Sequence, residues 1–118
     1  MMSLKIKKSK YGRGVFTTRS IKKGQIILVD DLLLLPANDC DKSLIIKRYV
    51  FTYEDVFMCY ALALGKSSLI NHSTRPNCDY KPTIDENGFP KLQVYALKNI
   101  PANTELKINY GYDPMEIL

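Results

Sequence analysis

Three short segments of this 118-residue chain carry residue types that can do chemistry. The first is Tyr11-Gly12-Arg13-Gly14-Val15-Phe16. Two glycines around one residue let the main chain approach a ligand closely, because neither projects a side chain. The segment lacks the third glycine and following helix of a dinucleotide site, and a lone G-x-G is commonly a plain turn between strands. The second segment is Leu69-Ile70-Asn71-His72-Ser73-Thr74-Arg75-Pro76-Asn77, an apolar run that ends abruptly in polar residues. Asn71 offers two donors and an acceptor, and His72, the only histidine, adds two ring nitrogens. The same letters also describe a polar turn that closes a buried strand around a satisfied histidine. Asn71-His72-Ser73 spells a glycosylation acceptor, which has no use in an intracellular chain. The third segment is Glu105-Leu106-Lys107-Ile108-Asn109-Tyr110-Gly111-Tyr112-Asp113. Its alternation predicts a strand that ends at Tyr110, with a turn at Gly111. Tyr110 and Tyr112 share a face if the chain stays extended, where they either line a site or simply pack at a sheet edge. Tyrosine supplies an aromatic wall and a hydroxyl together, and the chain has eight tyrosines and no tryptophan. No serine sits in a nucleophile elbow. One histidine and three scattered cysteines (Cys40, Cys59, Cys78) make neither a metal set nor a disulfide framework.

Short elements must position these segments, because proline and glycine punctuate the chain throughout. Leu4–Lys7 reads as a strand, Lys10–Gly14 as a turn, and Val15–Thr18 as a second strand. A turn over Ile21–Gln25 leads into Ile26–Val29, and Leu32–Leu35 reads as a fourth strand ended by Pro36. Residues 37–43 read as a loop. Leu44–Phe51 and Val56–Leu64 are the best candidates for helix or mixed structure. Leu92–Ala96 and Glu105–Tyr110 read as late strands, and Glu86-Asn87-Gly88 as a hairpin turn. Many short strands between turns predict a mainly β fold. Ser20–Ile26 and Asn99–Leu106 resemble each other: each has an isoleucine three residues before Gly24 or Asn103. Glycine and asparagine tolerate a left-handed turn, so the two segments predict matching corners in one sheet system.

The length gives one domain, residues 1–118, and the composition of 46% hydrophobic and 25% charged residues is globular. The clean apolar stretch Val56–Leu64 is too short to span a bilayer, and the lysine-rich start has no apolar segment behind it to make a signal peptide. The chain therefore reads as soluble and intracellular, with no membrane partner. Net charge is +5, but residues 1–23 hold eight Lys and Arg residues and no acid, while the remainder sums to −3. Such a cluster can make weak contact with nucleic acid, or it can be a solvated edge strand protected by lysines.

In this order and spacing the three segments resemble the SET-domain family of protein lysine methyltransferases, from about Lys5 to Tyr112. The G-x-G turn, the Asn-His-Ser core followed by Pro76-Asn77, and the E-L-x-I-x-Y-G end carry the resemblance. Ile21-Lys22-Lys23-Gly24 and Leu97-Lys98-Asn99-Ile100 sit where the family has its turns. Tyr49-Val50-Phe51 and Ala61-Leu62-Ala63-Leu64-Gly65 look like the minimal, stand-alone members of viruses and prokaryotes. The resemblance implies a β-clip fold of small sheets around a knot-like crossing, with one or two short helices. It implies S-adenosylmethionine as methyl donor. The backbone around Gly12, Arg13 and Gly14 would hold that cofactor, Asn71 its methionine part and His72 its adenine. Tyr110 matches the catalytic tyrosine, and Tyr49, Phe51 and Tyr112 are candidates for the walls of a lysine channel. No zinc is implied: the cysteine-rich segment that follows many SET domains is absent before Leu118, and Thr74 stands where many relatives have a zinc-site cysteine. Ser68 and Leu69 replace an arginine and a phenylalanine common in relatives. Pro114–Leu118 or a second subunit would cover the channel, and a homodimer suits so small a chain. The implied substrate is a histone or another basic DNA-associated protein, in a prokaryotic cytoplasm or a host nucleus. The alternative is a non-catalytic SET-like module that binds peptide or nucleic acid through its basic N-terminal segment.

Overall fold

A computed structural model describes residues 3–10, 12–47, 49–52 and 59–111, which hold nine strands, two short α-helices and one 3-10 helix (Lys66–Leu69) joined by turns. Strands β1 (Leu4–Ser9) and β2 (Gly12–Thr17) pair antiparallel, with Ser9 opposite Gly12. Gly12 and Gly14 therefore lie within β2, not in the turn expected over Lys10–Gly14. The strand partner of β2 is the lysine-rich segment, so part of the N-terminal charge decorates a hairpin.

The largest sheet has the order β4-β5-β3-β8-β7 and is antiparallel throughout. Its centre, β3 (Ile26–Pro36), joins the two strands expected over Ile26–Val29 and Leu32–Leu35. Asp30 and Asp31 do not break it, because each is satisfied. The Asp30 carboxylate accepts from the Ser67 N–H (2.9 Å) and from the Ser67 hydroxyl. Asp31 pairs with Lys91, its cross-strand neighbour. A register shift between Ile26 and Leu28 explains why Ile27 and Leu28 are buried consecutively.

Helix α1 (Ala37–Asp41) replaces the loop expected over residues 37–43; Pro36 precedes it, and Ala37 and Cys40 are its buried residues. Helix α2 (Leu44–Lys47) and β4 (Val50–Thr52) divide the mixed segment between them. Strand β5 (Cys59–Leu64) is extended where helix was one expectation. Alanine and leucine favour helix, but β5 pairs on both edges, and burial of Ala61 and Ala63 has period two. Strand β7 (Cys78–Ile84) has no counterpart in the sequence reading; it contains Pro82 and is the sheet edge, where proline is tolerated. The expected turn joins it to β8 (Pro90–Ala96), and the Asp85 carboxylate accepts from the Asn87 and Phe89 N–H groups at 2.9 Å each.

Strands β6 (Asn71–His72) and β9 (Lys107–Ile108) pair in parallel, so the late strand is far shorter than Glu105–Tyr110. The two corners read as matching meet each other: Ile21 and Ile100 exchange both main-chain hydrogen bonds at 2.8 Å. Gly24 (φ 84°) and Asn103 (φ 59°) hold the left-handed positions beside them. The main core gathers Val15, Ile21, Ile27, Ile70, Ile100, Leu106 and Ile108 around this junction, and a smaller cluster of Leu32, Ala61, Ala63 and Leu92 underlies the large sheet.

Candidate active site at the crossing of two distant segments

The β6–β9 pair brings together two of the segments singled out in the sequence. The chain after β6 then wraps β9. The Ser73 N–H donates to the Ile108 carbonyl (2.9 Å) and the Asn77 N–H to the Lys107 carbonyl (3.1 Å). The Asn77 side chain closes the crossing from both ends: Oδ1 accepts from the Lys107 N–H and Nδ2 donates to the Glu105 carbonyl, each at 2.8 Å. Buried Cys78 follows it and donates its thiol to the Lys107 carbonyl at 3.3 Å; burial pushes that thiol up to about 12.

Asn71, His72 and Tyr110 converge here. Asn71 Nδ2 donates to Glu105 Oε2 (2.7 Å) and to the Arg13 carbonyl (3.0 Å), and lies 3.4 Å from Ser9 Oγ. The carboxylate fixes which end of the amide is nitrogen, so Oδ1 points elsewhere and has no partner among the described residues. His72 Nδ1 accepts from the Tyr110 N–H at 3.0 Å, which leaves the ring proton on Nε2. The two rings lie 5.1 Å apart at 48°. The Tyr110 hydroxyl donates to the Ile70 carbonyl, one residue before Asn71.

The G-x-G segment joins through its main chain. The Arg13 carbonyl holds Asn71, while the Arg13 side chain is exposed. A Cβ at Gly14 would overlap the Glu105 carboxylate and lie 3.1 Å from Asn71 Nδ2, so any side chain there displaces Glu105 from its present hydrogen bonds. Gly12 must be glycine for conformation: its φ is 109°, and no atom stands within 4 Å of an added Cβ.

Glu105 and Ser9 complete the cluster and had no assigned role in the sequence reading. The Ser9 hydroxyl donates to both Glu105 oxygens, at 2.9 and 3.1 Å. The signal available for Glu105 was its place at the head of the E-L-x-I motif; Ser9 gave none. Tyr49 stands 42% exposed between α2 and β4 and has no hydrogen bond or ring contact to this cluster among the described residues. Phe51 lies in β4 opposite Ala61, with its side chain outside the description. Tyr112 and Pro114–Leu118 lie outside the described residues.

The cluster offers the Asn71 amide oxygen, which has no partner among the described residues, the Arg13 and Gly14 main chain, the Glu105 carboxylate and two aromatic rings. These features fit the ammonium, sulfonium and adenine parts of S-adenosylmethionine.

The chain belongs to the SET-domain family, whose model matches residues 12–111. It is 35% identical, over 92% of its length, to the mouse histone-lysine N-methyltransferase NSD3, of which it spans 8%. It is 29% identical to a SET domain-containing protein of Acanthamoeba polyphaga mimivirus, over 84% of this chain and 41% of the viral one. A crystal structure of a Plasmodium falciparum protein superposes with a TM-score of 0.77 at 28% identity and covers 96% of each chain. The mainly β fold of small sheets is therefore the SET fold. Among the described residues no helix is long and apolar enough to cross a membrane.

Proposed function

We propose that the chain is an S-adenosylmethionine-dependent protein lysine N-methyltransferase, acting on a histone or another basic DNA-associated protein. The observation that carries the reading is the convergence of Asn71, His72 and Tyr110 at the β6–β9 crossing, against the Arg13 carbonyl. Kinship with histone-lysine methyltransferases supports the reaction class.

The cofactor, when bound, supplies an activated methyl group on a sulfonium. Asn71 Oδ1 would accept from its ammonium, and the Arg13 and Gly14 main chain and the His72 backbone would hold the remainder. The chain's own work is to align the amine with the methyl carbon and exclude water. A lysine amine titrates near 10.4 in water and must attack uncharged. An apolar, aromatic channel disfavours the ammonium form, and Tyr49, Phe51 and Tyr112 are assigned to its walls. Tyr110 has its proton committed to the Ile70 carbonyl, so it can offer only lone pairs to a third group. It therefore orients the attacking amine as a hydrogen-bond acceptor.

Calorimetric titration with S-adenosylmethionine tests the cofactor. Saturable one-to-one binding is expected, with at least about a tenfold loss in Asn71→Ala, the worth of one charge-assisted hydrogen bond. An affinity unchanged by Asn71→Ala removes that residue from the site.

A further inference from the structure

A second polar site lies on the far side of Glu105. The Glu105 carboxylate is held by Ser9 and Asn71, but its carbonyl is held by Asn77, which faces a groove of about 260 Å³. Arg75, Lys98, Asn99, Thr104 and Lys107 line the rest. Hydrogen bonds to the main chain fix its walls. The Ile21–Ile100 bridge sets one side, the Thr104 hydroxyl donates to the Pro101 carbonyl (2.7 Å), and the Lys23 N–H donates to Asn99 Oδ1 (2.9 Å). That last bond turns the Asn99 amide so that its two N–H donors have no partner among the described residues.

The charge is one-sided. Arg75 and Lys98 are exposed and face no carboxylate among the described residues. Among the described residues Glu105 is the single acid in the lining, and its carboxylate is engaged elsewhere. Exposed Lys23 adjoins the lining through its main-chain bond to Asn99. The ion pairs among the described residues belong instead to α1, α2 and the large sheet, at Asp41–Lys47, Asp31–Lys91 and Asp85–Lys91.

A groove of cations and amide donors has the wrong sign for a lysine-rich peptide and the right one for oxyanions. Several cations along one groove, Arg75, Lys98 and Lys107 in the lining and Lys23 beside Asn99, suit a repeating phosphate chain better than one phosphate. Among the described residues the lining has no aromatic side chain on which an unpaired base could stack. We infer that this groove binds the phosphate backbone of double-stranded DNA, independently of the site that Asn71 and Tyr110 define. The contact is sequence-neutral and would hold the chain beside a basic protein already seated on DNA.

Fluorescence anisotropy of a short labelled duplex, titrated with the full chain across a salt series, tests this. Wild type is expected to bind with a log–log salt slope of about −3 or steeper. Arg75→Gln with Lys98→Gln should make the slope shallower by about 2. Lys5→Gln with Lys8→Gln, an equal change of charge on β1, should bind like wild type. Equal losses in the two double variants would show diffuse charge and overturn the groove. Absence of DNA binding by wild type would overturn the ligand, as would a preference for acidic lipid vesicles or a phosphopeptide over the duplex. Titration of both double variants with S-adenosylmethionine separates the two sites: cofactor binding should persist in each, and its failure would bear on the active site alone.

Discussion

A methyl group added at Gly14 would meet the Glu105 carboxylate, whereas one added at Gly12 would meet nothing within 4 Å. The two glycines of one motif thus answer to different forces, overlap in one case and a φ of 109° in the other. Gly14→Ala and Gly12→Ala should each destabilise by about 1–3 kcal/mol. A double-mutant cycle tells the two apart. Gly14→Ala should couple to Glu105→Ala by more than about 0.5 kcal/mol, and Gly12→Ala should add independently. Independence of Gly14 and Glu105 in denaturant melts would contradict the contact. At this scale the segments that bring Asn71, His72 and Tyr110 together were picked out in the sequence, the first by an apolar run that ends abruptly in polar residues and the second by its alternation. Ser9 was not, since its partner Glu105 is 96 residues away and serine is an ordinary strand-end residue.

Strand β7 shows what elements hide and what they impose. It has no counterpart in the sequence reading, and its place at the sheet edge makes Pro82 harmless. Strand β5 was ambiguous because its alanines and leucines suit helix, and pairing on both edges decides the matter. The central strand read as two because Asp30-Asp31 looks like a break; a neighbouring turn, with Gly65 leaving room for the Asp30 carboxylate, supplies the missing partner. Cys78 carries a measurable consequence of β7 packing on β9. Its thiol ionises near 9.0 when free and near 12 in the fold. The unfolded chain therefore loses its proton first. This stabilisation is complete below about pH 9 and is lost as pH rises from there toward 12, by about 1.4 kcal/mol per unit. Chemical denaturation from pH 8 to 10.5 should show wild type falling relative to Cys78→Val above pH 9. Parallel curves would place the thiol in contact with water.

Over the whole molecule, charge and chemistry are sorted by the crossing of distant segments. The sequence shows a basic surplus in its first 23 residues, but folding divides it. Lys5, Lys7 and Lys8 stay on β1, while the Lys23 main chain meets Asn99, next to Lys98, beside the Ile21–Ile100 bridge. Nothing in local pattern reveals that second grouping, because it depends on a pairing between the two ends of the chain. The matching corners were legible as a pair, and their contact with each other was not. The same crossing sets Tyr110 against Ile70 and His72, and this is the arrangement to which methyl transfer is assigned. The most direct measurement is transfer of labelled methyl from S-adenosylmethionine to lysine in histones by wild type and by Tyr110→Phe, with thermal melts confirming that both are folded. The account predicts lysine methylation by wild type and at least about a hundredfold slower transfer by Tyr110→Phe, roughly 2.7 kcal/mol of lost alignment. Full activity in folded Tyr110→Phe would contradict it.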